Sequence, residues 1–415
     1  MNIDSQSSCD VVILGGGYAG LMAALSLRAR GRNQRVVLVN AVDEFVERVR
    51  LQEAIARPIA ARIPSLSQLL AGSGIEFVLG RVSSFDAGER QVRVTASDGS
   101  SCEIGFGRAL YALGSAADVE AVPGASEHAY RLDPGDGALA VETLRDVLHH
   151  NAGQKLRVVV IGGGASGVEA AGEIKTCWPQ FAVTMLSTGR CASFKAAAVE
   201  RAMRRELLRL GVELCDQEGA AEVLPTSVLT TTGRRIEHDI CICAAGLRSS
   251  GLAGTGGLAV DAKGRILVDP LLRSVSHPHV FAAGDAARPV APTGAPYRQS
   301  VFAALTSGAF AAEVIMDRSP QDHRPFSFST YGQGISIGSR GVGFLSYPDD
   351  HKRLFIIGGR SGFHARNLFV WLSTYLLKYE RNHPGFFSSA VWSGQRRVSW
   401  QQASQAMQTS RTQMA

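Results

Sequence analysis

The stretch that decides the fold is VVILGGGYAGL, residues 11–21. An apolar run runs into three glycines, and a helix-forming segment follows, which is the opening of a βαβ unit. In the pattern Gly15-x-Gly17-x-x-Gly20 the first glycine makes a tight turn and the second lets the backbone approach a pyrophosphate. The third lets helix and strand pack closely. The pattern therefore predicts a dinucleotide site, because the unpaired N–H groups of the helix N-terminus bind anions.

The same arrangement occurs again at VVVIGGGASGV, residues 158–168, with the turn Gly162-x-Gly164-x-x-Gly167. In each copy a second apolar strand ends on a polar residue 20 positions after the last glycine, Asn40 in the first and Ser187 in the second. Each copy also closes with an apolar run into a glycine, at 109–114 and 240–246. The repeat therefore predicts two complete nucleotide-binding domains.

Composition limits the class of protein. A length of 415 residues predicts two or three domains, and 45% apolar with 19% charged residues is ordinary for a globular chain. The net charge is +6, and the segment from His351 onward carries nine Lys or Arg against the single acid Glu380. We expect a solvated basic face there and no nucleic-acid site. Seven scattered cysteines without CxxC, and a polar N-terminus, predict a cytoplasmic protein with free thiols and no metal site.

A third motif separates the two nucleotides. The run HVFAAGD, residues 279–285, is a strand that ends in Gly284-Asp285, and a helix is expected from about Arg298 to Met316. This resembles the second flavin fingerprint of the two-dinucleotide-domain flavoprotein reductases, the pyridine nucleotide-disulfide oxidoreductase fold. The resemblance implies that Asp285 binds the ribityl chain of FAD and that the N-terminal domain is the FAD domain. NAD(P)H would then bind the second domain.

Within that group the chain is most similar to type II NADH dehydrogenases, from about Cys9 to about Phe387. The implied fold is α/β, with two Rossmann-like domains, the NAD(P) domain inserted in the FAD domain, and a small α+β C-terminal region. We expect the FAD domain at 1–120 and 256–325 and the NAD(P)H domain at 121–255. Residues 326–415 would form a sheet, an amphipathic helix and a frayed tail.

The resemblance also implies roles for single residues. Arg48, in the segment Glu47-Arg48-x-Arg50-Leu51, matches a region near the flavin, where a cation stabilises negative charge; a surface ion pair is an equal alternative. Glu169 matches a glutamate near the nicotinamide. The alternative is an acidic side chain near a helix N-terminus, where its negative charge interacts favourably with the helix dipole. Arg48 and Glu169 are the candidate catalytic residues.

The candidate cofactor contacts fall into two groups that follow the two domains. Those for FAD are Gly15, Gly16, Gly17, Tyr18, Ala19, Gly20, Asn40, Ala41, Arg48, Val82, Ala112, Gly114, Gly284, Asp285, Gln299 and Ser300. Those for NAD(P)H are Gly162, Gly164, Gly167, Glu169, Ser187, Arg190 and Gly246.

Two departures from the family pattern matter. Dinucleotide domains usually end the second strand with an acid that binds ribose hydroxyls. Ser187 and Arg190 replace that acid with a hydroxyl and a cation, which favours NADPH or little discrimination. On the helix after Gly-Asp, the paired glutamines of type II NADH dehydrogenases are replaced by Phe302 and Thr306.

The sequence therefore predicts an NAD(P)H dehydrogenase that passes electrons to a quinone or quinone-like small molecule. Two alternatives stay open: a redox-responsive protein like the apoptosis-inducing factors, and a flavin oxidase or monooxygenase of natural-product biosynthesis. The helix expected at 363–380 has a broad apolar face. It could lie in the interface of the inner face of a membrane, cover the flavin domain or form a homodimer contact.

Overall fold

The computed structural model describes residues 6–28, 34–133, 138–194, 196–317, 323–327, 331–346, 353–387 and 398–414. Two parallel sheets carry the two glycine-rich turns, and a C-terminal region lies against both of them. This is the α/β architecture that the duplicated motif predicts.

The N-terminal strand lies inside the first sheet, and its apolar residues 11–14 are buried. Four strands lie parallel in the order β3-β2-β1-β6, and the first half of the long β6 also pairs with the antiparallel meander β4–β5. The elements of this part are β1 (Gln6–Leu14), α1 (Tyr18–Arg28), β2 (Val36–Asn40), α2 (Leu51–Ala54), α3 (Leu66–Leu70), β3 (Ile75–Leu79), β4 (Arg81–Asp86), β5 (Gln91–Thr95) and β6 (Ser101–Tyr111).

The second sheet has five parallel strands in the order β11-β10-β9-β15-β8. Its elements and its flanking ribbon are β7 (Ser115–Ala117), α4 (Ala125–His128), β8 (Tyr130–Arg131), α5 (Val141–His150), β9 (Arg157–Ile161), α6 (Ala165–Cys177), β10 (Ala182–Leu186), α7 (Ala197–Leu210), β11 (Glu213–Cys215), β12 (Ala220–Leu224), β13 (Ser227–Thr230), β14 (Arg235–Glu237), β15 (Ile240–Cys243) and β16 (Leu247–Ser249). Strands β7 and β16 pair with each other where the chain enters and leaves this sheet. The second unit is thus inserted into the first.

The chain then returns to the first sheet through α8 (Leu252–Thr255), β17 (Ile266–Leu267), β18 (Val280–Ala282), β19 (Ala287–Arg288) and α9 (Val301–Met316). Strand β18 pairs in parallel with the last residues of β6, as its sequence predicts. Strand β17 pairs with β19 in a separate two-stranded ribbon, and Ile266 is buried in the core of the first unit.

The C-terminal region consists of an antiparallel meander, β20 (Tyr331–Ile337), β21 (Arg340–Ser346) and β22 (Arg353–Gly358), followed by the helices α10 (Gly359–Asn382) and α11 (Trp400–Met414). The prediction of a frayed tail is wrong. Helix α11 buries Ala403 and Ala406, and Ser410 accepts a hydrogen bond of 2.8 Å from Arg288. A polar sequence can still form a docked helix when a few small residues face the core.

Helix α10 has an unusual distribution of polarity. Its buried positions include the polar residues Arg366, Ser373, Thr374 and Glu380. Its exposed positions include large apolar side chains: Leu368, Trp371, Leu372 and Tyr375. Within the described ranges, no helix combines the length and hydropathy needed to cross a bilayer.

Candidate functional site

The first glycine turn joins β1 to α1 at the carboxyl edge of the first sheet. A Cβ on Gly20 would lie 1.8 Å from the carbonyl oxygen of Gly15, and one on Gly15 would lie 2.4 Å from that of Ala112. These two positions require glycine for packing. A Cβ on Gly17 would meet nothing within 4 Å. Gly17 is therefore the place where the turn is open to an approaching ligand, as the motif predicts.

The second turn repeats this geometry between β9 and α6. A Cβ on Gly167 would lie 2.0 Å from the carbonyl oxygen of Gly162, whereas one on Gly164 would meet nothing within 4 Å. The polar residues at the ends of β2 and β10 also occupy equivalent places. Asn40 accepts a hydrogen bond of 2.9 Å from the Gly16 N–H, and the Ser187 hydroxyl lies against Gly163.

Asp285 lies after β18, at the carboxyl edge of the first sheet. The Ser115 hydroxyl donates to its Oδ2 at 2.9 Å. The backbone around Asp285 is fixed by hydrogen bonds, since Gly284 N–H donates to Ser307 on α9 at 2.9 Å and the Gln299 amide donates to the Asp285 carbonyl at 3.3 Å. Burial raises the pKa of Asp285, and Ser115 opposes this. The carboxyl group is therefore held in one place beside the first turn.

Arg48 is an exposed residue of a short 3-10 turn before α2, and it forms an ion pair with Asp133. Its positive charge also acts on the Asp285 carboxyl, whose pKa it lowers. The ion pair that the sequence left open as an alternative is therefore present. The role of Arg48 as a cation close to a flavin stays a prediction.

The other candidate contacts of FAD have different surroundings. Tyr18 and Ala19 are buried at the start of α1, and the Tyr18 hydroxyl lies 3.5 Å from that of Ser373 on α10. Ser300 caps α9, accepting a hydrogen bond of 3.2 Å from the Ala303 N–H. Val82 is a core residue of β4. The remaining two are Ala41, which is exposed just after β2, and Gly114, which has a left-handed φ of 70° and an open Cβ direction.

Glu169 lies on the first turns of α6, and the C-terminal region surrounds it. Its Oε1 accepts hydrogen bonds from Ser336 of β20, 3.0 Å from N–H and 2.9 Å from the hydroxyl, and lies 3.4 Å from Nε of Arg366. Burial raises the pKa of Glu169, while Arg366 and Ser336 oppose that effect. Arg366 in turn donates to Glu53 of α2 at 2.7 Å and to the Val49 carbonyl at 2.8 Å.

The surroundings of Ser187 and Arg190, after β10, are more open. The Ser187 hydroxyl accepts a hydrogen bond of 3.3 Å from the Gly189 N–H. Arg190 is largely exposed and forms an ion pair of 2.7 Å with Glu200 of α7. Glu200 therefore neutralises part of the positive charge of Arg190. At the end of β15, the carbonyl of Gly246 accepts from the Asp118 N–H at 3.0 Å.

These residues fit the two dinucleotides. Each turn has one glycine whose Cβ direction is open, which leaves room for a pyrophosphate. Each turn is followed by a helix, of 11 residues in α1 and 13 in α6, and the dipole at its N-terminus favours anions. The first also has Asp285 fixed as a hydrogen-bond acceptor for hydroxyl groups. The second has Glu169 at the start of its helix. Among the described residues, no group of three His, Cys, Asp or Glu side chains could hold a metal ion.

The sequence did not identify Arg366, Ser336, Glu53 or Ser115 as residues of this region. One signal was present for Arg366, which occupies the same helical face as Val370 and Leu377. An arginine in line with buried positions indicates a buried ion pair. Its partners cannot be read from the sequence, because Glu53 lies 313 residues away.

Comparison with known proteins gives consistent results. The family described as pyridine nucleotide-disulphide oxidoreductase matches residues 9–308. An NADH dehydrogenase-like protein of Mycobacterium tuberculosis is 32% identical over 302 residues, which are 67% of this chain and 72% of that protein. An alternative NAD(P)H-ubiquinone oxidoreductase of Arabidopsis thaliana is 27% identical over 314 residues, 66% of this chain and 60% of that protein.

Among solved structures, NDH2 from Plasmodium falciparum in complex with NADH superposes with a TM-score of 0.73. The superposition covers 94% of this chain and 100% of that one at 12% sequence identity, so it shows a shared fold. It includes the C-terminal region, which lies beyond the matched family segment.

Proposed function

This chain belongs to the pyridine nucleotide-disulphide oxidoreductase family, and we propose that it is a type II NADH dehydrogenase-like enzyme whose electron acceptor is a quinone or a quinone-like small molecule. It is a flavin-dependent NAD(P)H oxidoreductase with FAD and NAD(P)H as its cofactors. The observation that supports these roles most strongly is the pair of equivalent turns with open positions at Gly17 and Gly164.

The protein supplies position and charge. When bound, the nicotinamide would supply a hydride, and the flavin would supply the N5 atom that accepts it and the electrons for the acceptor. Asp285 would accept hydrogen bonds from the ribityl chain, and Arg48 would stabilise negative charge close to it. Glu169 would accept a hydrogen bond from the nicotinamide carboxamide and hold that ring in a reactive position.

The proposed acceptor rests on similarity and on one surface. The Arabidopsis relative is described as acting on ubiquinone. Helix α10 exposes an apolar face that we define as Leu368, Trp371, Leu372 and Tyr375, which lie at helical spacing. In α9 the position of the usual second glutamine is Thr306, whose buried hydroxyl donates to the Phe302 carbonyl at 2.8 Å. The quinone head group would therefore be bound by other contacts than paired glutamines.

We also propose that the apolar face makes peripheral contact with the inner leaflet of an anionic membrane. Aromatic and aliphatic side chains beside the exposed cations Arg360 and Lys378 are typical of helices in the membrane interface. Such a location would bring the enzyme to a lipid-soluble acceptor.

The test of the activity is an anaerobic experiment on the FAD-loaded protein. Mixing with NADH, and separately with NADPH, should bleach the flavin absorbance. Adding a short-chain ubiquinone or menadione should restore it faster than adding oxygen. If neither nicotinamide bleaches the flavin, the proposed dehydrogenase activity is wrong. If bleaching occurs but neither quinone restores the colour, only the proposed acceptor is wrong.

The test of membrane contact is flotation with phosphatidylglycerol vesicles. The wild type should float with the vesicles, and the double variant Trp371→Ser/Leu372→Ser should not. Trp400→Ser is the control, because Trp400 is similarly exposed but lies on α11. Unchanged flotation of the double variant contradicts the proposal. So does a wild type that does not float and instead dimerises through this face.

A further inference from the structure

The C-terminal region contacts both nucleotide-binding units through a small set of ion pairs. Arg366, on α10, has a side chain that is 3% exposed. It lies against Glu53 of the first unit and Glu169 of the second. A second ion pair, Arg340 of β21 with Glu206 of α7 at 2.8 Å, joins the same region to the second unit at a different place.

The contacts of Glu169 distinguish its two carboxylate oxygens. Among the described residues, the hydrogen bonds and the ion pair of Glu169 all involve Oε1. Oε2 is therefore the oxygen that can accept a hydrogen bond from a ligand at the second turn. A carboxylate anchored through one oxygen presents the other in a fixed direction, and a charged acceptor binds an N–H donor more strongly than a neutral one.

We infer that Arg366 is the positioning residue for Glu169: it fixes the direction of the carboxyl group and favours its ionised form when NAD(P)H binds. This inference rests on the proposed binding of NAD(P)H at the second turn. Nothing in the sequence motifs assigns Arg366 a part in the site, since it lies on a C-terminal helix outside both nucleotide-binding units.

The charges around Glu169 determine the direction of the effect. Arg366 is the cation in contact with it, and it opposes the rise in the pKa of Glu169 that burial causes. Glu53 of α2 has the opposite effect and raises that pKa. Glu173 lies one helical turn further along α6 and pairs with Arg57 of α2 at 3.2 Å.

Two substitutions should therefore shift the same titration in opposite directions. Arg366→Met removes the cation and leaves burial unopposed, so Glu169 would become ionised only at higher pH. Glu53→Gln removes the like charge, so Glu169 would be the carboxylate that remains paired with Arg366. Glu169 would therefore ionise at lower pH. A neighbouring opposite charge shifts a carboxyl pKa by about 1–3 units, which sets the expected size of the first change.

The experiment is stopped-flow reduction of the FAD-loaded protein by NADH and NADPH between pH 5 and 9. The rate at subsaturating nicotinamide should rise with an apparent pKa that Arg366→Met moves upward by about one unit or more. Glu53→Gln should move it downward. Arg340→Met is the control for a merely structural role, because it loosens the same region without contacting Glu169, and its profile should match the wild type. In Glu169→Gln this ionisation should be absent.

The outcomes separate the two proposals. If the wild type is not reduced at any pH, the proposed function fails. If it is reduced and the profiles of Arg366→Met and Glu53→Gln match the wild type, the inference about Arg366 fails while the function stands. It also fails if Arg340→Met shifts the profile as much as Arg366→Met does. If Arg366→Met does not retain FAD, the test rests on Glu53→Gln alone. A downward shift of its apparent pKa supports the inference, and a pH profile that matches the wild type overturns it.

Discussion

Substituting the open glycine of the second turn, Gly164→Ala, should weaken NAD(P)H binding and leave the fold intact. Gly164 has φ −80° and ψ −175°, a backbone conformation that alanine adopts without strain, and a Cβ there would meet nothing within 4 Å. The added methyl group would instead occupy the space through which a pyrophosphate approaches the N–H groups of α6. The change in the free energy of unfolding should stay within about 1 kcal/mol.

The expected loss of affinity follows from the hydrogen bonds that are displaced. One hydrogen bond to a charged group contributes about 1.5–3 kcal/mol. Since each 1.4 kcal/mol is a factor of ten, losing one such bond to the pyrophosphate raises Kd about 10- to 150-fold. The value comes from the concentration dependence of anaerobic flavin bleaching. FAD content and the melting temperature should match the wild type.

The neighbouring Gly167→Ala is the contrasting variant. Its Cβ would lie 2.0 Å from the Gly162 carbonyl oxygen, so it should lower the melting temperature and reduce soluble yield. An unchanged NAD(P)H affinity in Gly164→Ala, with FAD retained, would refute the assignment of the nicotinamide to the second turn. Loss of FAD from Gly164→Ala, with the melting temperature of the FAD-free protein unchanged, would show that the two turns have been assigned in the wrong order.

Three further changes test other parts of the site. Asp285→Ala should release FAD on gel filtration, whereas Ser300→Ala should retain most of it; equal retention by both contradicts the role of the carboxylate. Arg190→Ala should lower kcat/KM for NADPH about tenfold more than for NADH, if loss of one charged contact contributes about 1.4 kcal/mol; an unchanged ratio means that its pairing with Glu200 is its only role. Glu380→Gln should reduce the free energy of unfolding in urea by about 1–3 kcal/mol, because its buried oxygens accept from Gly385 and Phe387 N–H and the new amide cannot accept from both.

The two turns could be predicted from the sequence because the motif itself is local. Strand, glycine spacing and helix lie within about 20 residues of one another, and Gly20 and Gly167 are each required by a carbonyl group of their own loop. The places of Asn40 beside Gly16 and of Ser187 beside Gly163 follow from the same spacing. Asp285 required the additional knowledge of a family pattern, because the residues that hold it lie outside its own motif, at Ser115 and around the start of α9.

The C-terminal region could be predicted only in part. The helix 363–380 and the preceding antiparallel sheet were confirmed as α10 and β20–β22. The tail predicted to be frayed is the helix α11, since its few buried residues, such as Ala406, give a weak periodic signal between glutamines and serines. Local pattern cannot reveal a contact such as that of Ser410 with Arg288, which lies 122 residues away.

The polarity of α10 explains why its orientation could not be predicted. A helix on a soluble protein normally buries its apolar stripe, so the pattern alone would turn Trp371 and Tyr375 inward. In the structure that side is exposed, because the opposite side contains Arg366 and Glu380. Arg366 pairs with Glu53 of the first unit and Glu169 of the second, and Glu380 accepts a hydrogen bond from Ser26 of the first. Burying unpaired charges costs more than exposing apolar side chains, so the ion pairs determine which face turns inward. The same helix therefore anchors Glu169 on one side and leaves the apolar face available to a membrane on the other.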